Sequence, residues 1–261
     1  TGWIQSGDNR IIEQNWDAME KYLASILKQN PDHLWRNGFG IPFGDWLTPT
    51  QTTPEDLIAT AYWAYDASLM KQMADATGRS AKSAEYEKLF EEIKDAFAKA
   101  YIRSDGFVGT VDHYPSIPPP TISPEAGSDN SKSVVETQTG YVLALYMNLV
   151  PTRLRAAAAE KLVQKIKDNH WLLGTGFLGT PYLLEVLSDT GHSDVAYKLL
   201  LNTEYPSWGY LVEHGATTMW EHWNGDQMRG DPSMNSYNHY AYGAVAEWMY
   251  RYAAGIDTVA A

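Results

Sequence analysis

The sequence predicts an all-α chain built of antiparallel helical hairpins. Apolar residues recur at three- and four-residue spacing along several long segments, and no segment shows the alternation of a strand. Gly, Trp and charged residues are concentrated in the connections between these segments. With 261 residues, 44% of them hydrophobic, the chain can bury a continuous core. We therefore expect residues 1–261 to form a single domain of about eight helices.

Periodicity and end signals together place the helices. They are predicted over residues 8–29, 52–78, 83–101, 134–149, 151–169, 181–190, 195–202 and 236–254. Asp8 stands in the N-cap place of the first helix. The second helix opens with Thr53 as its cap and Pro54 in its first turn, followed by acids that complement the helix dipole. The third carries an apolar face opposite a face of Lys and Glu.

The later helices are separated by short turn sequences. A single residue divides helices 134–149 and 151–169, and the second of these contains the Ala156–Ala159 run of high helix propensity. The turn at 191–194 divides the next hairpin. The last helix closes at Gly255, which lies where a C-cap glycine is expected.

Two long connections interrupt the helices. Residues 30–50 are rich in Gly and Pro but also hold Trp35, Phe43 and Trp46, and such a loop favours a functional role. Residues 104–133 are too rich in Pro and Ser to form a helix. In a compact domain, a connection of that length is either functional or a mobile insertion.

Composition excludes several classes of function. The formal net charge is −12, from 32 acidic and 20 basic residues, so a nucleic-acid partner is not expected. No run of 18 apolar residues and no signal-peptide pattern is visible, so no membrane partner is expected and a cytoplasmic location is favoured. The absence of Cys excludes disulfides and thiolate zinc sites. Ten Trp and 17 Tyr are typical of carbohydrate sites, although large helical cores use them as well.

The segment Gly215–Gly225 places Glu221 between two indoles, those of Trp220 and Trp223. Indole faces stack on the apolar faces of pyranose rings, and a carboxylate held among them loses water, which moves its pKa towards the working pH. The pattern favours a sugar-cleaving site with Glu221 as the catalytic group. The alternative is a buried aromatic cluster with Glu221 at its rim.

Other candidate residues lie in loops or at helix starts. Asp45 precedes Trp46 in a loop, and the Trp46 indole is a candidate wall for a ring substrate. The alternative interpretation of Asp45 is an Asx turn or a helix cap. His239, at the start of the final helix, either points into a cup of loops or is a hydrogen-bonded core group. The spacing of the histidines fits no metal motif, so no metal is expected. The glycine spacing of 174–179 matches a dinucleotide turn but lacks a preceding strand, so no cofactor is expected either.

Five motifs in one order resemble the bacterial α-L-rhamnosidases of glycoside hydrolase family 78, over the C-terminal two-thirds of their catalytic domain. They are Phe43-Gly44-Asp45-Trp46-Leu47, Thr175-Gly176-Phe177-Leu178-Gly179-Thr180-Pro181, Tyr205-Pro206-Ser207-Trp208-Gly209-Tyr210, Gly215 to Trp223, and Ser236-Tyr237-Asn238-His239-Tyr240 with Gly243-Ala244-Val245 and Glu247-Trp248. The resemblance implies an (α/α)6 toroid of six helical hairpins, here an incomplete barrel.

The resemblance also implies site roles. Family members invert the anomeric centre, with one carboxylic acid protonating the leaving oxygen and a carboxylate activating water. By motif, Glu221 is similar to the water-activating base, His239 to a contact of a rhamnose hydroxyl, and Trp46 to an indole of the pocket wall. Asp45, Trp220 and Trp223 complete the expected substrate-binding set. The implied ligand is a rhamnose-containing oligosaccharide or glycoside.

One departure from the family changes the expectation. The general acid of the family lies in an Arg-Asp-Glu segment that this sequence lacks. The chain therefore looks truncated upstream, and we expect it to hydrolyse rhamnosides very slowly alone and to associate with a second copy or with a missing N-terminal segment. Two alternatives are a non-catalytic carbohydrate-binding or interaction module, and an (α/α)6 hydrolase or lyase acting on another sugar.

Overall fold

The computed structural model describes residues 2–38, 40, 42–110, 134–233 and 236–257. Within them, the helices are α1 Gly2–Ser6, α2 Arg10–Gln29, α3 Glu55–Ala76, α4 Ser80–Tyr101, α5 Gln138–Tyr146, α6 Arg155–Asp168, α7 Thr180–Asp189, α8 Ser193–Leu200, α9 Trp208–Glu213 and α10 Val245–Trp248. A π-helical turn, Met249–Ala253, continues α10. Most of the predicted 104–133 connection lies outside the described residues.

The helices form an inner and an outer row, as expected for an α/α toroid. Consecutive helices pair as α3 with α4, α5 with α6 and α7 with α8. The first member of each pair also contacts the first member of the next, and α7 contacts α10. The described part of the chain contains two isolated β-bridges and no strand. The all-α prediction and the hairpin architecture are confirmed.

Burial explains which helices lie inside. Eight of the nine residues of α5 are buried, because its sequence is apolar on every side. In the outer helix α4, burial is confined to one stripe, and its Lys and Glu side chains face solvent. The inner row therefore forms the core to which the loops of the site are attached.

Helix starts differ from the prediction where distant contacts intervene. Helix α2 begins after Asn9, and Asp8 instead accepts a hydrogen bond from the Arg10 backbone N–H at 3.0 Å. Pro54 occupies the N-cap position of α3. The Thr53 hydroxyl bonds the Thr137 hydroxyl at 2.7 Å rather than capping α3. Both predicted caps, Asp8 and Thr53, were therefore wrong.

The predicted final helix, 236–254, was wrong over its first part. The Ser236 carbonyl accepts a hydrogen bond from the Glu221 N–H at 3.0 Å, and the His239 N–H donates to the Met219 carbonyl at 2.7 Å. These long-range bonds hold the chain out of a helix until the 3₁₀ turn that precedes α10. The glycine end is confirmed, because Gly255 has a φ of +70° just after the helix.

Candidate functional site

Asp45 fixes the first loop of the site. Its side chain is 2% exposed, and its carboxylate accepts a hydrogen bond from the Thr139 hydroxyl at 2.5 Å. The backbone N–H groups of Gly176, Leu178 and Gly179 donate to it at 2.7, 2.7 and 3.2 Å. Burial raises the pKa of Asp45, and these hydrogen bonds oppose that shift. Asp45 thus acts as a cap for the start of α7 from a distant loop.

The glycine at position 176 allows the two loops to meet. A Cβ atom on Gly176 would lie 2.3 Å from the Trp46 carbonyl oxygen and 2.6 Å from that of Asp45, too close for any side chain. The next residue, Phe177, donates its N–H to the Trp46 carbonyl at 2.9 Å. The glycine spacing of this segment therefore serves contact between loops.

Trp46 is presented to solvent by this anchored loop. Its side chain is 36% exposed, and its ring packs edge to face on Phe43, with centroids 5.8 Å apart. Phe43 is itself 71% exposed. An exposed pair of aromatic rings on a fixed loop can stack on a sugar ring.

Glu221 lies at the edge of a buried aromatic cluster. Its side chain is 6% exposed, and its neighbours Trp220 and Trp223 are 4% and 3% exposed. Trp220 packs edge to face on Tyr237, and Trp223 stacks on Tyr242 with centroids 3.9 Å apart. The two indoles thus hold the segment of Glu221 in place. Their assignment to substrate binding stays a prediction.

Phe177 and Tyr242 connect the loop of Asp45 and Trp46 to the segment that carries Glu221. The Phe177 ring stacks on His239 at 4.8 Å and meets the edge of Tyr242 at 5.2 Å. Burial raises the pKa of Tyr242, and the carboxylates of Asp45 and Glu221 add to the shift. Tyr242 therefore lies within electrostatic reach of both acids. These contacts place the six residues that the sequence predicted for the site in one connected region: Asp45, Trp46, Trp220, Glu221, Trp223 and His239.

Sequence reasoning missed Phe177 and Tyr242 as parts of the site. Phe177 lies inside one of the quoted motifs, so its proximity to Trp46 could have been suspected from the sequence. Tyr242 carries no local signal, since its importance comes from Trp223 and from the Trp208 indole N–H, which donates to its carbonyl at 2.9 Å.

The described residues offer neither a metal-binding cluster nor a membrane-spanning helix. No group of three or more His, Asp or Glu side chains is placed there to hold a metal ion. Across that same part of the chain, no helix has the length and apolar character that crossing a bilayer requires.

Comparison with known proteins places this arrangement in a family. Residues 1–253 match the model described as the bacterial alpha-L-rhamnosidase 6 hairpin glycosidase domain. The α-L-rhamnosidase of Streptomyces avermitilis is 45% identical over 253 residues, which are 96% of this chain and 22% of that protein. An α-L-rhamnosidase of Formosa agariphila is 38% identical over 266 residues, covering 97% of this chain and 26% of that protein.

Solved structures agree with the sequence matches. The crystal structure of the S. avermitilis α-L-rhamnosidase complexed with L-rhamnose superposes with a TM-score of 0.80 at 43% identity, covering 95% of this chain and 22% of that one. The α-L-rhamnosidase from Dictyoglumus thermophilum gives a TM-score of 0.75 at 30% identity, covering 94% and 25%. The chain thus spans about a quarter of the length of these relatives. Because the family model matches nearly its whole length, the chain belongs to the bacterial α-L-rhamnosidase six-hairpin glycosidase domain family.

Proposed function

We propose that this chain supplies the rhamnose-binding and water-activating side of an inverting α-L-rhamnosidase site. The observation that carries the proposal is the position of Glu221. This carboxylate is 6% exposed at the edge of an aromatic cluster, and Phe177 links that cluster to the exposed indole of Trp46. The substrate class is supported by the S. avermitilis relative, whose crystal structure is a complex with L-rhamnose.

In the proposed reaction, Glu221 removes a proton from the water that attacks the anomeric carbon. The bond from that carbon to the leaving oxygen breaks as the new bond to water forms, and a separate acid protonates the leaving oxygen. Trp46 stacks on the sugar face and His239 contacts a rhamnose hydroxyl.

Asp45 is a poor candidate for the second carboxyl group. Both of its oxygens already accept hydrogen bonds, four in all, from donors of the chain itself. Protonating Asp45 would break at least one of these hydrogen bonds. The protonated carboxyl group would then have to give its proton to a ligand, although the chain's own donors already occupy both of its oxygens. We assign the general acid to none of the described residues.

A second function follows from the same observation. A chain that keeps Glu221, its aromatic cluster and the exposed Trp46 indole, but lacks a general acid, would bind rhamnose without cleaving rhamnosides. The four bonds to Asp45 favour this rhamnose-binding module over a complete hydrolase, as far as the described residues are concerned.

The test measures binding and turnover separately. L-Rhamnose is titrated calorimetrically into the wild type, Glu221→Gln and Trp46→Ala, and chromophore release is followed from an aryl α-L-rhamnoside. We expect wild type and Glu221→Gln to bind the sugar and Trp46→Ala to bind it at least about tenfold more weakly, because stacking on the indole is lost. Turnover by the wild type should fall about a hundredfold or more below that of a full-length relative, because a general acid contributes that much.

Glu213→Gln is the matched control, since Glu213 is an exposed acid eight residues before Glu221. It should leave both measurements unchanged. Turnover within about tenfold of a full-length relative would contradict the assignment of the acid outside the described residues. Failure of the folded wild type to bind L-rhamnose would contradict the proposal as a whole.

A further inference from the structure

The imidazole ring of His239 is held at a defined place beside the candidate site. The His239 backbone N–H donates to the Met219 carbonyl at 2.7 Å, so the chain that carries the ring is anchored. The ring stacks on Phe177, with centroids 4.8 Å apart, and on Tyr240, with centroids 5.2 Å apart. Stacking fixes the plane of the ring but does not decide which of its nitrogens carries the proton.

The backbone N–H of Ala241 decides the protonated nitrogen. Ala241 begins the 3₁₀ turn Ala241–Ala244, and the first N–H groups of a helical turn have no acceptor inside that turn. The Nδ1 atom of His239 accepts from the Ala241 N–H at 3.3 Å. Because an N–H group can only donate, Nδ1 must present its lone pair, and the proton of the neutral ring must lie on Nε2.

His214 shows the opposite arrangement. Its Nδ1 atom lies 2.8 Å from the carbonyl oxygen of Tyr210, which can only accept, so Nδ1 of this ring must carry a proton. The His214 ring also stacks on an aromatic ring, that of Tyr210, with centroids 3.8 Å apart. The chain therefore contains two stacked histidines whose backbone partners require different nitrogens to be protonated.

The Nε2–H group of His239 is available to a ligand, because the hydrogen bond to this ring within the described residues is made at Nδ1. The ring borders the proposed rhamnose site through Phe177, whose N–H donates to the Trp46 carbonyl at 2.9 Å. A protonated Nε2 donates a hydrogen bond and cannot accept one. It therefore fits a hydroxyl oxygen, whereas an ammonium group, which only donates, would meet a second donor there.

We infer that Ala241 fixes His239 as a neutral, one-way hydrogen-bond donor, and that this donor selects an oxygen at one position of the sugar. The inference rests on the proposed function for the identity of the ligand. It adds the direction of the hydrogen bond: the sugar hydroxyl accepts from His239 and keeps its own hydrogen for another acceptor. A sugar with an amino group at that position is excluded.

The first experiment identifies the protonated nitrogens without any ligand. Nitrogen NMR of the whole chain with isotopically labelled histidines, at pH 8 where ordinary histidines are neutral, separates protonated from unprotonated ring nitrogens. The variants His239→Gln and His214→Gln assign the two rings by the signals that each removes. We expect the proton on Nε2 of His239 and on Nδ1 of His214. A His239 ring protonated on Nδ1, or averaged between the two forms, would overturn the inference.

The second experiment tests donation to the sugar by calorimetric titration of L-rhamnose into wild type, His239→Gln and His239→Asn. A glutamine NH₂ group reaches the place of Nε2, whereas an asparagine side chain reaches only the place of Nδ1, where it can still accept from the Ala241 N–H. We expect His239→Gln to stay within about threefold of the wild-type affinity and His239→Asn to bind at least about tenfold more weakly. Equal affinities of these two variants would contradict the donor role.

Sugar analogues then show which hydroxyl accepts the hydrogen bond. Methyl α-L-rhamnosides carrying hydrogen or fluorine in place of one hydroxyl are compared, because fluorine accepts a hydrogen bond weakly and cannot donate one. At the position that His239 contacts, the fluoro sugar should bind wild type more tightly than the deoxy sugar, and the difference should vanish in His239→Asn. If no position shows this difference while L-rhamnose binds, the inference fails and the proposed function stands.

His214→Gln is the matched control for binding, since His214 is a stacked histidine with the opposite requirement at Nδ1. It should leave the affinity for L-rhamnose unchanged, and a loss equal to that of His239→Asn would contradict the assignment. Failure of the folded wild type to bind L-rhamnose would overturn the proposed function and the donor role together. The NMR result alone would still decide which nitrogen of His239 is protonated.

Discussion

At the scale of single residues, Asp45 joins two loops that lie more than a hundred positions apart in sequence. Its carboxylate holds the backbone N–H groups of Gly176, Leu178 and Gly179, while the carbonyl of the next residue, Trp46, accepts from Phe177. The position of the Trp46 indole therefore depends on a neighbouring acid that points away from it. A change at Asp45 should reach the sugar site through the backbone.

We predict that Asp45→Asn lowers the free energy of unfolding by about 2–4 kcal/mol near neutral pH, since an amide NH₂ would oppose backbone donors inside the chain. Binding of L-rhamnose should weaken as well. Urea denaturation and calorimetry measure the two effects. Asp226→Asn is the control, because Asp226 accepts from the Tyr210 hydroxyl at 3.2 Å in a partly exposed place and should cost less than about 1 kcal/mol. Equal stability of Asp45→Asn and wild type would show that the four bonds do not hold the loops.

Sequence patterns found which residues belong together but not what each one does. An acid beside an indole pointed to both Asp45–Trp46 and Trp220–Glu221, and the structure joins these segments through Phe177 and Tyr242. The partners of Asp45, however, are backbone amides 131–134 positions away, which no local pattern encodes. The substrate roles of the six residues remain predictions.

At the scale of elements, length decided what the sequence could predict. Helices α2 and α4, with 20 and 22 residues, repeat their apolar stripe often enough to be recognised. Helix α9 has six residues, too few for a period, and was not predicted. Where a segment pairs with a distant one, as Ser236 does with Glu221, tertiary hydrogen bonds override local propensity.

The contact between α7 and the turn that follows α10 includes an ion pair whose carboxylate is buried, beside the hydrogen bond from the Tyr252 hydroxyl to Asp189. Glu185 is 3% exposed, and the Arg251 guanidinium donates to it at 2.5 Å. Burial raises the pKa of Glu185 to about 7, although Arg251 acts in the opposite direction. Without Arg251 the ionised carboxylate would be left buried and uncompensated, so the cost of its removal should depend on pH.

We predict that Arg251→Met destabilises the chain by about 3 kcal/mol at pH 8.5 and by less at pH 5.5, where Glu185 is protonated in the folded state. Adding Glu185→Gln to Arg251→Met should recover most of the loss at pH 8.5. Chemical denaturation at the two pH values measures both effects. Arg153→Met, at an exposed arginine, is the control and should have little effect at either pH. A loss that is equal at both pH values, or that Glu185→Gln does not recover, would contradict the ion-pair explanation.

At the scale of the whole molecule, buried acids and net charge both lower the stability of the fold as pH rises. The pKa values of Asp45, Asp66 and Glu185 are all raised by burial. For Asp66 and Glu185 the folded state holds its proton to a higher pH than the unfolded state does, so the stability that these two residues contribute is greatest below the unfolded pKa and is lost as pH rises through the folded pKa. Self-repulsion of a chain of formal charge −12 adds to this loss.

We predict that the free energy of unfolding falls between pH 4.5 and pH 8, and that Asp66 accounts for a measurable share of the fall. Its pKa rises from an ordinary 3.8 to about 6. Allowing for its partial exposure, the ionised carboxylate should cost about 2 kcal/mol above pH 7 and almost nothing near pH 4. Asp66→Asn should therefore stabilise the chain at pH 8, leave it unchanged near pH 4 and flatten the profile between them. Asp17→Asn removes an equal charge from an exposed position of α2 and measures the contribution of net charge alone. If the two variants give the same profile, the loss of stability comes from overall charge, and the Asp66 carboxylate is better hydrated than its burial indicates.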